Sequence, residues 1–318
     1  MDTLKAIAEK LLEAQTVLIY PHIHMDADAL GSAAALCCAL RKLGKESYIH
    51  IEDSVAGNLQ FLDKGYCTLE PDMEPDACIC VDCSGENRIP ERYEAFRKGK
   101  VTLVVDHHRT AEAFADLNFV DPDSAATGEI IYDLLNILGV EIDKEIGEAL
   151  FAALATDTGK FQYSNTTKRT HEIVTSLYDS GMDHMYVSNE IYENNSYESL
   201  VLENMIMNTL ERFADGKGII AHVTQDMLME TGTTMDETEG IVGKLRAIRG
   251  VEVSAFLKEH GENVIKASLR AKTYADVAAI SSEFGGGGHI KAAGCTLNMT
   301  MEEARELMKD RITKQLIG

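Results

Sequence analysis

VTLVVDHHRT, residues 101–110, begins with an apolar, β-branched run and passes without a break into Asp106, His107 and His108. The run has the composition of a strand buried on both faces. Three adjacent titratable side chains at its end are either a polar turn or the rim of a site, and the surrounding chain decides between the two. TVLIY (16–20), SYIHI (47–51) and ACICV (77–81) read as strands of the same kind. ALGSAAALCCALRKLG (29–44) reads as a helix closed by Gly44, and RYEAFRKG, just before VTLVV, is also helical. Near-continuous apolar strands alternating with helices imply an α/β fold with a parallel sheet and helices on both faces.

A mostly helical stretch follows, through ATGEIIYDLLNILG, EIGEALFAALAT and periodic segments over 169–212, with 193–213 reading as one long connecting helix. Beyond Gly216 strand patterns return in GIIAHV, VEVSAFLKE and NVIKASLR. TYADVAAISSEF then reads as a helix, GGGGH as a loop and MTMEEARELMKDRITKQL as a closing helix. The expected division is a larger α/β domain over 1–185, a helical linker over 186–213 and a smaller α/β domain with a mixed sheet over 214–318.

The 318 residues carry a net charge of −22, with acidic groups spread along the chain. Such a surface repels long polyanions, which argues against a scaffold that grips extended DNA or RNA. A small phosphorylated ligand remains compatible, because bound cations reverse the field in one pocket. No segment has the length to span a bilayer, and MDTLKAIAEKLLEAQ is a charged amphipathic start rather than a targeting leader. The seven cysteines follow no framework of spacings and fit reduced thiols in the cytoplasm. Cys78, Cys80 and Cys83 have a passing likeness to a metal motif, but the first two lie inside an apolar strand, where thiols act as small hydrophobes.

Four polar clusters recur at the ends of apolar elements. His22, Asp26 and Asp28 form H-x-x-x-D-x-D after TVLIY, and Asp82 follows ACICV directly. Asp106, His107 and His108 follow VTLVV, and Asp157 closes the helix ALFAALA. In an open parallel sheet the carboxyl ends of the strands share one edge, so three of these clusters converge there. Any single Asp after a strand is more often a helix N-cap, an option open to Asp26 and Asp28. Capping accounts for one cluster and leaves the coincidence of the rest. His24 and His50 read as ordinary histidines. Carboxylates brought that close raise one another's pKa unless cations neutralise them. Carboxylate and imidazole donors without thiolate suit Mn²⁺, with Mg²⁺ as the alternative. Two histidines and four aspartates suffice for two divalent ions sharing one bridging carboxylate, an arrangement that clamps a phosphoryl group.

FGGGGHIKAAGC (284–295) is the other unusual stretch. Backbone amides of Gly286, Gly287 and Gly288 can approach an anion closely, and His289 and Lys291 add charge. Arg270, ending NVIKASLR, offers a planar fork to the same anion. No G-K-[ST] or G-x-G-x-x-G accompanies the run, so it is neither a Walker nor a dinucleotide loop.

HIHMDADALGS, VDCS, VDHH and ATDTG, followed by GGGGHIKAAG, together resemble the DHH phosphoesterase superfamily with a C-terminal DHHA1 domain. The resemblance covers nearly the whole chain, and the length is most similar to the stand-alone oligoribonuclease (nanoRNase)/pAp phosphatase type. It implies a metal-dependent phosphoesterase acting on short RNA or nucleotides, 3′-phosphoadenosine 5′-phosphate (pAp) among them. It implies a DHH catalytic domain, a DHHA1 substrate-binding domain, and a cleft closing about the helical connector. His22 and Asp26 would hold one metal, Asp28, His107 and Asp157 the other, and Asp82 would bridge them. His108 would contact the scissile phosphate, Asp106 would orient a ligand, and Arg270, Gly286–Gly288, His289 and Lys291 would grip the substrate. Cyclic di-AMP or pApA is the alternative substrate, and a homodimer is left open. Met25 stands where a proline is usual, and Ala271 where a serine is common. These departures bear on substrate preference and spare every expected ligand.

Overall fold

The computed structural model describes residues 2–238 and 240–317. They fall into two compact units, Met1–Asn194 and Asn195–Gly318. The first holds six parallel strands: β1 (Thr16–Pro21), β2 (Glu46–His50), β3 (Cys67–Thr68), β4 (Ala77–Val81), β5 (Val101–Asp106) and β6 (Leu117–Val120). Their order is β3-β2-β1-β4-β5-β6. β1 leads outward to β2 and β3 on one side, and β4 leads to β5 and β6 on the other. The connections therefore diverge between β1 and β4, opening a crevice at the carboxyl edge. β3 and β6 are short, half-buried edge strands, and neither carries the apolar run that marks the central four.

Alternation along the central strands gives the sheet two apolar faces. Val17, Ile19, Ile79, Val81, Leu103 and Val105 pack with helices Asp2–Glu13, Ala27–Lys42, Thr127–Leu138 and Lys144–Asp157. Leu18, Tyr20, Cys78, Cys80 and Val104 face the other way, against Cys83, Ile89 and Phe96. On that side the expected helix is reduced to Tyr93–Phe96. Phe96 meets the edge of Tyr20 at 5.5 Å between centroids. All seven cysteines are free thiols, and Cys78, Cys80 and Cys83 serve as buried hydrophobes. His50 is likewise a buried histidine packed on Tyr20, its pKa lowered by burial.

In the second unit β7 (Glu211–Phe213), β8 (Gly218–Val223), β9 (Val253–Gly261), β10 (Val264–Ala271), β11 (Gly287–His289) and β12 (Ala292–Leu297) form a mixed sheet. The order is β11-β12-β10-β9-β8-β7, with β8 and β9 parallel and the other pairs antiparallel. Ala304, Met308, Ile312 and Leu316 of the closing helix Met301–Ile317 cover one face. Leu202 and Ile206 of the helix Tyr197–Met207 join the cluster on the other. The long helix expected over 193–213 is thus shorter. Ser196 caps its start by accepting the Ser199 N–H at 2.9 Å. Its expected end is drawn into β7, where Glu211 pairs with Arg305 at 2.7 Å. Among the described residues no helix is long and apolar enough to cross a membrane.

Small residues set how closely the helices of the first unit cross. A Cβ on Gly31 would lie 2.5 Å from the Ala149 carbonyl oxygen, and one on Gly128 would lie 2.8 Å from the Ala153 Cβ. Neither neighbour is a flexible tip, so the helix bearing Asp157 sits close to the one bearing Asp28 only because glycine is present. Gly31→Ala is expected to destabilise the protein by about 1–3 kcal/mol, as overpacking does. The measurement is the urea midpoint, and an unchanged midpoint would mean that the two helices separate freely.

Candidate metal centre

The crevice is lined by the four clusters. Arg92, 3% exposed, donates to the carbonyls of Pro21 and His50 and so pins the ends of β1 and β2. His22 follows at once, with the Ile23 N–H held by the Arg88 carbonyl at 2.9 Å. The next turn starts the Ala27–Lys42 helix, and Asp26 is its N-cap, accepting the Ala29 N–H at 3.0 Å. Capping and site geometry coincide here: Asp26 Oδ1 serves the helix while Oδ2 turns toward His22. Asp28, only 1% exposed, is held by three donors. The Thr127 and Gly128 amides, at the head of the Thr127–Leu138 helix, donate at 2.8 and 3.0 Å, and the Ser32 hydroxyl donates at 3.0 Å. A helix N-terminus favours such a carboxylate.

Asp82 directly follows β4, and its backbone is left-handed with φ 55°. That conformation costs roughly 1–3 kcal/mol for a non-glycine residue. It is held by the Asp82 N–H to the Val105 carbonyl, 3.0 Å, and by the Thr127 hydroxyl to Asp82 Oδ1, 2.8 Å. β5 ends at the fully buried Asp106, which accepts from His108 Nδ1 at 2.8 Å. Asp106 therefore orients His108, the neighbour two residues on.

The two remaining imidazoles are aimed alike. His22 Nδ1 lies 2.6 Å from the Ile23 carbonyl and His107 Nδ1 lies 3.2 Å from the Ser124 carbonyl. Each Nδ1–H is occupied by backbone, and each Nε2 is turned toward carboxylates. His22 Nε2 is 3.7 Å from Asp26 Oδ2 and 3.6 Å from Asp82 Oδ2. His107 Nε2 is 3.8 Å from Asp28 Oδ2, 3.7 Å from Asp82 Oδ1 and 3.6 Å from Asp157 Oδ2. Three overlapping donor groups result, His22–Asp26–Asp82, Asp28–His107–Asp157 and Asp82–His107–His108, each with ligand atoms within 4.8 Å of one another. Asp82 offers one oxygen to His22 and the other to His107. His108 also stands near Asp82, at 3.6 Å, but through the nitrogen that Asp106 already holds.

Electrostatics match a site built for cations. Burial, and then the charges of Asp82, Asp157 and Asp26, hold the Asp28 carboxyl well above the usual carboxylate range. Burial likewise lifts Asp157 to about 7, against the pull of His107. For His22 burial works downward, yet the facing Asp26 and Asp82 raise it to about 10. Desolvation pushes Asp26 up, and His22 overrides it to bring the carboxyl to about 2. The bond to Asp106 lifts His108 to about 9. Without cations, protons must fill the role of counter-charge. The donor set, imidazole Nε2 atoms and carboxylates around a shared Asp82, fits divalent ions.

A family model described as the DHH family, N-terminal domain, matches residues 16–155, and one described as the DHHA1 domain matches residues 215–316. The bifunctional oligoribonuclease and PAP phosphatase NrnA of Thermus thermophilus is 30% identical over 320 residues, spanning 99% of this chain and 95% of that protein. The chain belongs to the DHH phosphoesterase family. The NrnA of Bacillus subtilis is 25% identical, covering 93% of both chains. An exopolyphosphatase-related protein from Bacteroides fragilis shares the fold, with a TM-score of 0.91 at 24% identity over 98% of this chain and 96% of that one. Members of the DHH family are metal-dependent phosphoesterases, and this chain is an enzyme of that kind.

The DHHA1 unit places its expected residues differently from a loose glycine loop. Gly287–His289 is strand β11, paired antiparallel with β12. A Cβ on Gly286 would lie 2.2 Å from the Gly294 carbonyl oxygen, and one on Gly288 2.4 Å from that of Ala292. Close hairpin packing requires those two glycines, while nothing lies within 4 Å of a Cβ on Gly287. Arg270 and His289 both register on Ala292, so they share one row and one face of the sheet. Lys291 donates to the Ala275 carbonyl at 2.9 Å and has a fastening role in the hairpin.

Thr127 and Asn165 belong to the DHH site and escaped sequence reading. Asn165 donates to the carbonyls of Ala125 and Asp157, at 2.9 and 3.1 Å, tying the Asp157 helix end to the Thr127 turn. The T-G opening of a helix is a sequence signal for an anion site, but nothing local shows that the anion is a carboxylate 99 residues away.

Two outcomes are expected. Mn²⁺ at a hundred times its Kd would stabilise the fold by about 2.7 kcal/mol, seen as a raised thermal midpoint. Asp82→Asn, which keeps an oxygen for Thr127, would remove most of that shift. Protons held by His22 below about 10 and by Asp157 below about 7 compete with the metal. Affinity should therefore weaken as pH falls through that range, with proton release in calorimetry across buffers of different ionisation heat. A pH-independent affinity would contradict the ligand set.

Proposed function

We propose that this chain is a two-metal phosphoesterase that hydrolyses short oligoribonucleotides and pAp in the cytoplasm. The observation that carries the reading is the position of Asp82, whose two oxygens face two separate donor groups. His22 and Asp26 would hold one ion, Asp28, His107 and Asp157 the other, with Asp82 between them. Two divalent ions held there would supply Lewis-acid chemistry at a phosphoryl group. Imidazole donors favour Mn²⁺ over Mg²⁺. The names of the NrnA relatives support the substrate class, and the free thiols fit a reducing compartment.

The residues of the chain divide the remaining work. Asp106 fixes the His108 ring through Nδ1 and raises its pKa. His108 is then the general acid that delivers a proton to the leaving oxygen. Arg270 and His289, on one row of the DHHA1 sheet, hold the nucleotide's phosphate. The net charge of −22 disfavours long nucleic acid and leaves short substrates as the class served.

Purified protein with Mn²⁺ or Mg²⁺ should be offered pAp, a 5′-phosphorylated RNA dinucleotide, cyclic di-AMP and pApA in parallel. Turnover of pAp and the dinucleotide is expected, highest with Mn²⁺ and lost in Asp82→Asn. Cyclic di-AMP as the best substrate would replace this reading with a cyclic-dinucleotide phosphodiesterase. His108→Ala is expected to lower kcat by roughly 10²–10⁴-fold while metal content, measured by atomic emission, stays at wild-type level. Loss of metal in that variant would make His108 a ligand instead.

A further inference from the structure

One end of the DHHA1 sheet is fastened more tightly than phosphate binding requires. β10 ends at Ala271, and the loop beyond it is held by Glu252, a carboxylate only 5% exposed. Glu252 accepts the Thr273, Tyr274 and Ala275 amides at 2.9, 2.7 and 2.9 Å, and the Thr273 hydroxyl at 2.6 Å. The β11–β12 turn is stitched to the same loop from the other side. Lys291 Nζ donates to the Ala275 carbonyl, and the Val277 amide donates to the Ile290 carbonyl, each at 2.9 Å. Loop and turn therefore form one rigid edge.

That edge presents two large apolar side chains to solvent, Tyr274 and Ile290, each 58% exposed. A single exposed apolar residue means little. Here Tyr274 stands four residues beyond Arg270 and Ile290 directly follows His289, both on backbone that the Glu252 and Lys291 bonds already order. An exposed aromatic ring on a segment tied to the strands that bear a guanidinium and an imidazole suits a nucleotide, which has a flat π-face and an anionic phosphate. Stacking on such a ring tolerates any base.

We propose that Tyr274 is the platform on which a nucleobase of the substrate stacks. The inference rests on the nucleotide-phosphoesterase reading above and adds the group that distinguishes nucleotides from base-free phosphate esters. Tyr274 acts in binding and touches no reacting atom.

The kinetic test compares pAp with a base-free ribose bisphosphate. Tyr274→Ala is expected to lower the ratio of their kcat/KM values about tenfold or more, through KM for pAp, in line with the stacking of one base. Tyr274→Phe should keep the ratio, as should Tyr178→Ala, an exposed tyrosine of the other unit. An unchanged ratio in Tyr274→Ala overturns the proposal. A binding test is independent of turnover, because the chain has no tryptophan. The Tyr274→Trp variant has one indole, and AMP should quench it saturably while ribose 5-phosphate does not. Quenching in a protein that hydrolyses no nucleotide would sink the catalytic reading and leave the platform standing. Active protein without quenching would sink the platform alone.

Discussion

Crowding of like charge around Asp82 is the constraint on which the first unit is organised. Asp28 and Asp82 are almost fully buried within reach of Asp26 and Asp157, and burial and like charge together hold the Asp28 carboxyl above its usual range. The fold meets this with directed dipoles and positive groups. Thr127 and Gly128 amides and the Ser32 hydroxyl surround Asp28, Thr127 also serves Asp82, and two imidazoles turn Nε2 inward. The amides and the hydroxyl supply only partial charge, so the balance has to come from cations or protons. The metal requirement of the family is thus a requirement of the buried electrostatics as well as of the chemistry.

Much of this was legible in the chain. β1, β4 and β5 are recognisable because they are buried on both faces, and their polar endings coincide with the sheet's carboxyl edge. What sequence could not show is pairing at a distance. Thr127 looks like an ordinary first residue of a helix, and its hydroxyl and amide meet carboxylates that arrive from other strands. Edge strands β3 and β6 are equally silent, since half-burial leaves no apolar run. Capping and site geometry are compatible at Asp26, because one carboxylate has two oxygens and does both.

The second unit gives a different lesson about glycine. Four in a row suggest backbone opened toward a ligand, but Gly286 and Gly288 are explained by the approach of β12 alone. Register carries more information than composition here: pairing through Ala292 is what sets Arg270 and His289 on a common face. Lys291 shows the opposite drift, a charge that composition assigns to an anion and the fold uses as a fastener.

The crossing of the Ala27–Lys42 and Lys144–Asp157 helices at Gly31 has a bearing on how this enzyme can vary. The contact contains no titratable group, and nothing in its chemistry hints at catalysis. Even so, it sets how closely the helices that carry Asp28 and Asp157 approach. Mutational tolerance should therefore divide along geometry more than along reactivity. Gly31 and Gly128 would rank in an unbiased activity screen beside the metal ligands, while exposed charged residues of the same helices, such as Lys42 and Lys144, would accept most replacements.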